Sequence, residues 1–155
     1  MKKFILCLIL IALLYIPAIS MNLPEPTGYV VDTIGLLRME TIESITTICE
    51  KLDKTAQVAV CVVDSTQPDT IEQFSIKLAE KWKVGYKGID NGIIIVLAKI
   101  DRKVRIEVGR GVEAIITDAK AKTITETIMK PLFKAGDWDG GILAGLKAVE
   151  KEVNK

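Results

Sequence analysis

Two apolar runs on either side of one capped amphipathic helix constrain this chain most. Gln57 to Val63 reads QVAVCVV and Ile93 to Leu97 reads IIIVL. Both are apolar at successive positions, as expected of strands buried on two faces. Between them, Thr70-Ile71-Glu72-Gln73 carries a capping box, with Thr at the N-cap and Gln at N3. The apolar stripe that follows, Ile71, Phe74, Leu78 and Trp82, keeps helical spacing. Strand, helix and strand in this order predict parallel strands joined by a right-handed crossover.

The flanking segments extend the pattern. Tyr29 to Asp32 reads as a short extended piece, and about Leu37 to Leu52 as a helix with Ile42, Ile45, Ile48, Cys49 and Leu52 on one stripe. Ala98 to Arg102 is a turn. After it, Val104, Ile106 and Val108 alternate with Lys103, Arg105 and Glu107, the pattern of a strand with one wet face or at an edge. Thr117 or Asp118 begins a helix that ends or kinks before Pro131, and Asp137 caps a final helix through Val153. The expected architecture is α/β: a three-layer α/β/α sandwich with a small mixed β-sheet and helices on both faces.

Composition then removes whole chemistries. The 155 residues carry 21 Lys and Arg against 20 Asp and Glu, with no histidine. A net charge of +1 excludes a bulk-basic nucleic-acid binder. Without histidine there is no Ser-His-Asp or Cys-His nucleophile and no His-ligated zinc. No phosphate-binding G-x-x-x-x-G-K-[ST] loop and no C-x-x-C pair occur.

At the N-terminus, Met1-Lys2-Lys3 precedes an apolar run from Phe4 to Ile16. Pro17 and then Ala18-Ile19-Ser20 follow, with small residues at the −3 and −1 positions. This is a signal-peptide pattern, and it predicts a periplasmic or secreted protein cleaved after Ser20; a retained N-terminal membrane anchor is the alternative. The expected organisation is a signal peptide over 1–20, a flexible leader over 21–28 and one domain over 29–155. Cys49 and Cys61 survive processing, either as a disulfide or as buried free thiols.

The hairpin predicts where polar groups meet. With its turn near Ile100-Asp101, Gly92 lies opposite Gly109 or Arg110, and Asp90, Asn91, Glu113 and Asp118 gather at the far end of the sheet. Gly88, Gly92, Gly109 and Gly111 surround them. Carboxylates with loop carbonyls suit a hard cation, calcium before magnesium. The same residues also read as turn chemistry and a helix N-cap.

Several strings together resemble a known family. Trp82-Lys-Val-Gly85-Tyr-Lys-Gly88-Ile-Asp90-Asn91-Gly92 precedes IIIVL. Asp101-Arg102 leads to Gly109-Arg-Gly111-Val-Glu113, then Thr117-Asp118, Pro131-Leu-Phe133 and Gly136-Asp137-Trp138. In this order they are similar to the TPM domain family, which includes exported bacterial proteins and the thylakoid-lumen protein of photosystem II repair. Arg110 stands where the family usually has an aromatic residue, and Ala114 where it usually has glycine.

The resemblance implies an α/β/α fold and divalent-cation binding at Asp90, Asn91, Glu113 and Asp118, with Asp32 as a further member. It also implies an acid phosphatase activity, although no catalytic residue is assignable here. Two functions are therefore expected in order. The first is a cation-binding interaction module acting on exported or membrane proteins, near a membrane and as a monomer; the second is a metal-assisted phosphomonoester hydrolase.

Overall fold

The sheet is built from four strands in the order β1-β2-β3-β4. A computed structural model describes residues 22–155; the expected signal peptide lies outside the described residues. In chain order these are β1 (Val30–Asp32), α1 (Met39–Leu52), β2 (Gln57–Val63), α2 (Ile71–Trp82), β3 (Gly92–Ala98) and β4 (Lys103–Val108). Then come α3 (Asp118–Thr123), a π-helical turn (Ile124–Met129), α4 (Lys130–Lys134) and α5 (Trp138–Val153). β1, β2 and β3 are parallel, and β4 pairs antiparallel with β3. The sandwich is thus the expected three-layer α/β/α arrangement.

Apolar residues on both sides of β2 and β3 divide between two cores. Val58, Val60, Val62, Ile93, Ile95 and Leu97 face α1, α5 and the rod from α3 to α4. Ala59, Cys61, Val63, Ile94, Val96 and Ala98 face α2 alone. The capping box of α2 forms as read, with Thr70 and Gln73 satisfying each other's backbone N–H groups.

The two crossovers step in the same direction yet place α1 and α2 on opposite faces, so their hands are opposite. Val60, whose side chain lies on the α1 face, donates its N–H to Tyr29 O on the β1 side at 2.8 Å. For L-residues this sets β1 to the right of β2 when viewed from α1 with the strands pointing up. The β2–α2–β3 connection is therefore right-handed, as expected, and β1–α1–β2 is left-handed. A three-residue strand carries little of the twist that enforces the usual hand.

Of the two expectations at Pro131, an end or a kink, the structure excludes the end: the helix begun at Asp118 continues past it, with a distortion just before it. Its hydrogen bonds slip to a wider turn, with Lys130 N–H donating to Thr125 O, and the rod continues to Lys134. The widened turn accommodates the missing N–H and the bulk of the proline ring. The leader, expected to be flexible, is docked on α2. Leu23, like Trp82 and Val84, packs against the core on the α2 side, Trp82 Nε1 donates to Pro24 O at 2.8 Å, and Lys81 Nζ donates to Leu23 O at 2.7 Å.

Candidate functional site

The hairpin register puts Ile93 opposite Val108, and Gly109 N–H donates to Gly92 O at 2.7 Å. Chain beyond each strand therefore meets at the amino end of β3. Asp90 sits there with φ of 53°, a left-handed conformation uncommon outside glycine. Asn91 holds it in place from within. Its Oδ1 accepts from Tyr86 N–H at 2.9 Å, and its Nδ2 donates to Thr55 O at 2.8 Å. The loop is closed by Asp90 N–H donating to Tyr86 O at 2.9 Å and by Gly85 N–H donating to Gln57 Oε1 at 2.9 Å.

From the other side, Gly111 N–H donates to Asp90 O at 2.9 Å and Arg110 N–H to Asp90 Oδ2 at 3.1 Å. This approach needs glycine. A Cβ on Gly109 would lie 2.3 Å from Asp90 O, and one on Gly111 would lie 1.9 Å from Ile89 O.

Asp90 and Glu113 line the same groove, of about 770 Å³, together with Lys83, Tyr86, Lys87 and Arg110. Tyr86 Oη donates to Asp53 Oδ2 at 2.9 Å. That bond, with partial desolvation and the Asp53 charge, raises the phenol above its ordinary range. The sequence reads Tyr86 as part of a solvated loop and gives no signal for its Asp53 partner or for the role of Gln57.

The remaining expected ligands do not join this pair. Asn91 is buried, and both ends of its carboxamide are engaged by the backbone. Asp118 lines a separate groove of about 380 Å³ beside Glu72, Arg105, Lys122 and Glu126. The helix cap is Thr117, whose hydroxyl accepts from Lys120 N–H at 3.3 Å, so Asp118 occupies the first turn. Asp32 is at the other end of the sheet. It aligns with Val62 and hence Leu97, whereas Gly92 aligns with Gln57, a separation of roughly 17 Å along the strands. Its carboxylate accepts from Ile34 and Leu37 N–H at 3.2 and 2.8 Å, closing the turn into α1.

Among the described residues, no group of three or more Asp, Glu, Cys or His side chains is placed to hold a metal ion. A hard cation takes more oxygen ligands than the carboxylates of Asp90 and Glu113 alone provide. Cys49 and Cys61 are free, buried and in different cores, Cys49 carried by α1 itself and Cys61 by β2 on the face covered by α2. Burial, reinforced by nearby carboxylates, pushes both thiols up to about 12, so neither is a nucleophile.

Fold and groove together define a small α/β/α domain with a preformed, mixed-charge loop site. The family model of the TPM domain matches residues 30–152, and the chain belongs to the TPM domain family. The N-terminal domain of a Porphyromonas protein ("P.gingivalis"), solved by solution NMR, is similar at 30% identity, covering 83% of each chain with a TM-score of 0.76. The N-terminal domain of the cg2496 protein from Corynebacterium glutamicum shares the fold at 20% identity, covering 86% of each chain, with a TM-score of 0.64. The BA42 protein from Bizionia argentinensis does so at 17% identity, covering 79% of this chain and 84% of its own, with a TM-score of 0.64. No curated protein matches the sequence. Among the described residues, no helix is long and apolar enough to cross a membrane.

Proposed function

We propose that this chain is an exported TPM interaction module whose Asp90–Glu113 groove takes a divalent cation, calcium before magnesium, when it engages exported or membrane-embedded proteins. The observation that supports this most is the Asp90 loop. A non-glycine residue is held at φ of 53° by the Asn91 clip and by two closely approaching glycines. Strain maintained by such supports is characteristic of ligand sites. Asp90, Glu113 and loop carbonyls would hold the ion, and water or a partner's carboxylate would complete the shell. Export is supported by the basic start, the Phe4–Ile16 run and the Ala18–Ser20 site.

The second reading, a metal-assisted phosphomonoester hydrolase, is supported by Arg110, Lys83 and Lys87 in the same groove. Calorimetry with calcium and with magnesium separates the two when run beside a p-nitrophenyl phosphate assay. The module reading expects dissociation constants of about 10 μM or weaker, weakened at least tenfold in Asp90→Asn and Glu113→Gln, with turnover at background throughout. Robust metal-dependent turnover lost in Asp90→Asn would make the hydrolase the better reading. Absence of any cation binding would reject both.

A further inference from the structure

The groove that received Asp118 runs beside the edge of β4, which among the described residues has β3 on one side and no strand on the other. The bond from Gly109 N–H to Gly92 O fixes which groups face outward. In an antiparallel ladder the residues in step with Gly109, namely Lys103, Arg105 and Glu107, turn N–H and C=O toward β3. Val104, Ile106 and Val108 turn theirs away from the sheet. Ile106 retains only 5% of its surface, and it borders the groove with Val104 and Arg105.

The walls belong to different layers. Glu72 comes from α2 on one face of the sheet, whereas Asp118 and Lys122 come from α3 on the other. Arg105 is held by Glu107 at 2.6 Å, and Glu126 by Lys130. Among the described residues, Glu72 and Asp118 have no ion-pair partner, and they stand against Lys122. An extended chain entering here would pair its backbone with the outward groups of β4. Its side chains, alternating between faces, would meet the acid of one wall and then the other.

We propose that the β4 edge receives an extended, basic segment of a partner protein as a fifth strand. The segment carries a base on each face, an odd number of residues apart, one directed to Glu72 and one to Asp118. This site is separate from the Asp90–Glu113 groove and stands whether or not that groove binds a cation.

The probe is the peptide acetyl-Thr-Lys-Val-Thr-Lys-Val-amide, with a twin carrying Glu in place of both Lys and a third N-methylated at alternate amides. Amide hydrogen exchange of the purified exported protein is the readout. The basic peptide is expected to slow exchange at Val104, Ile106 and Val108 at least tenfold, and Glu72→Gln with Asp118→Asn to weaken its binding at least tenfold. Neither the Glu twin nor the methylated peptide should protect those amides. Equal protection by the Glu twin, binding of the methylated peptide as tight as the parent, or no protection at all would each overturn the proposal. Protection that rises with protein concentration alone would assign the edge to a second copy instead.

Discussion

Asn91 donates through Nδ2 to the carbonyl of Thr55 at 2.8 Å and so ties the loop before β3 to the loop before β2. Asn91→Ala removes that bond and the acceptor for Tyr86 N–H together. Leaving partly buried backbone groups unmatched costs about 1–3 kcal/mol. A lower urea midpoint is expected, with Asn91→Asp also destabilised because it cannot donate to Thr55.

Gly111→Ala tests the close approach of the two loops. Its Cβ would meet Ile89 O at 1.9 Å, so backbone rather than a side-chain tip must move. A loss of about 1–3 kcal/mol is expected, with NMR shift changes concentrated in residues 85–92 and 109–113. A variant as stable as the parent with unchanged loop signals would mean the loops do not meet as described.

Buried thiols with raised pKa are protonated and inaccessible at neutral pH. Cys49 and Cys61, both pushed up to about 12, should resist Ellman's reagent at about pH 8 in the native protein. Both should react in denaturant without prior reduction. Failure of either to react after unfolding would indicate a modified or bridged cysteine.

Glu152 supplies a pH test. A hydrogen bond from Lys155 and the Lys120 ammonium, 2.9 Å from its second oxygen, hold its carboxyl down from an ordinary 4.5 to about 2. A depressed folded pKa adds stability above the unfolded value, and that stability is lost as pH falls toward the folded one. Glu152→Gln should therefore be less stable than the parent near neutrality. The gap should close as pH falls from about 4.5 to about 2, measured by thermal melting across that range.

The docked leader predicts that Trp82→Phe, which keeps an aromatic side chain but deletes the donor to Pro24 O, costs about 1 kcal/mol or more. Limited proteolysis should then cut the leader faster than in the parent. Equal cutting rates would show that the leader is held by Leu23 and Lys81 instead.

Periodicity carried most of the architecture. β2 and β3 are legible as unbroken apolar runs and α2 by an apolar stripe at a period of about 3.6, and the hairpin turn put Gly92 against Gly109. What pattern does not carry is how a polar side chain is used. Asp32, Asn91 and Asp118 are equally suitable ligands on paper. In the fold, backbone N–H groups engage Asp32, two loops engage both ends of Asn91, and the α3 axis turns Asp118 into another groove. At Pro131 the sequence left an end and a kink open for a related reason: a π-helical turn is a local adjustment with no composition of its own.

The left-handed β1–α1–β2 connection bears on the order of assembly. β2, α2, β3 and β4 are consecutive in sequence and adjacent in space, joined by a crossover of the favoured hand and a tight hairpin. β1 has three residues, and it joins by carrying α1 around the uncommon side. It is the natural last arrival and first departure. While it is absent, the outer backbone of β2 offers an unoccupied template, and the nearest matching segment in a crowded solution is the β1 of another molecule. Exchange of this strand between chains is thus the misassembly to which the topology is most exposed, and it begins on the flank of the sheet remote from β4.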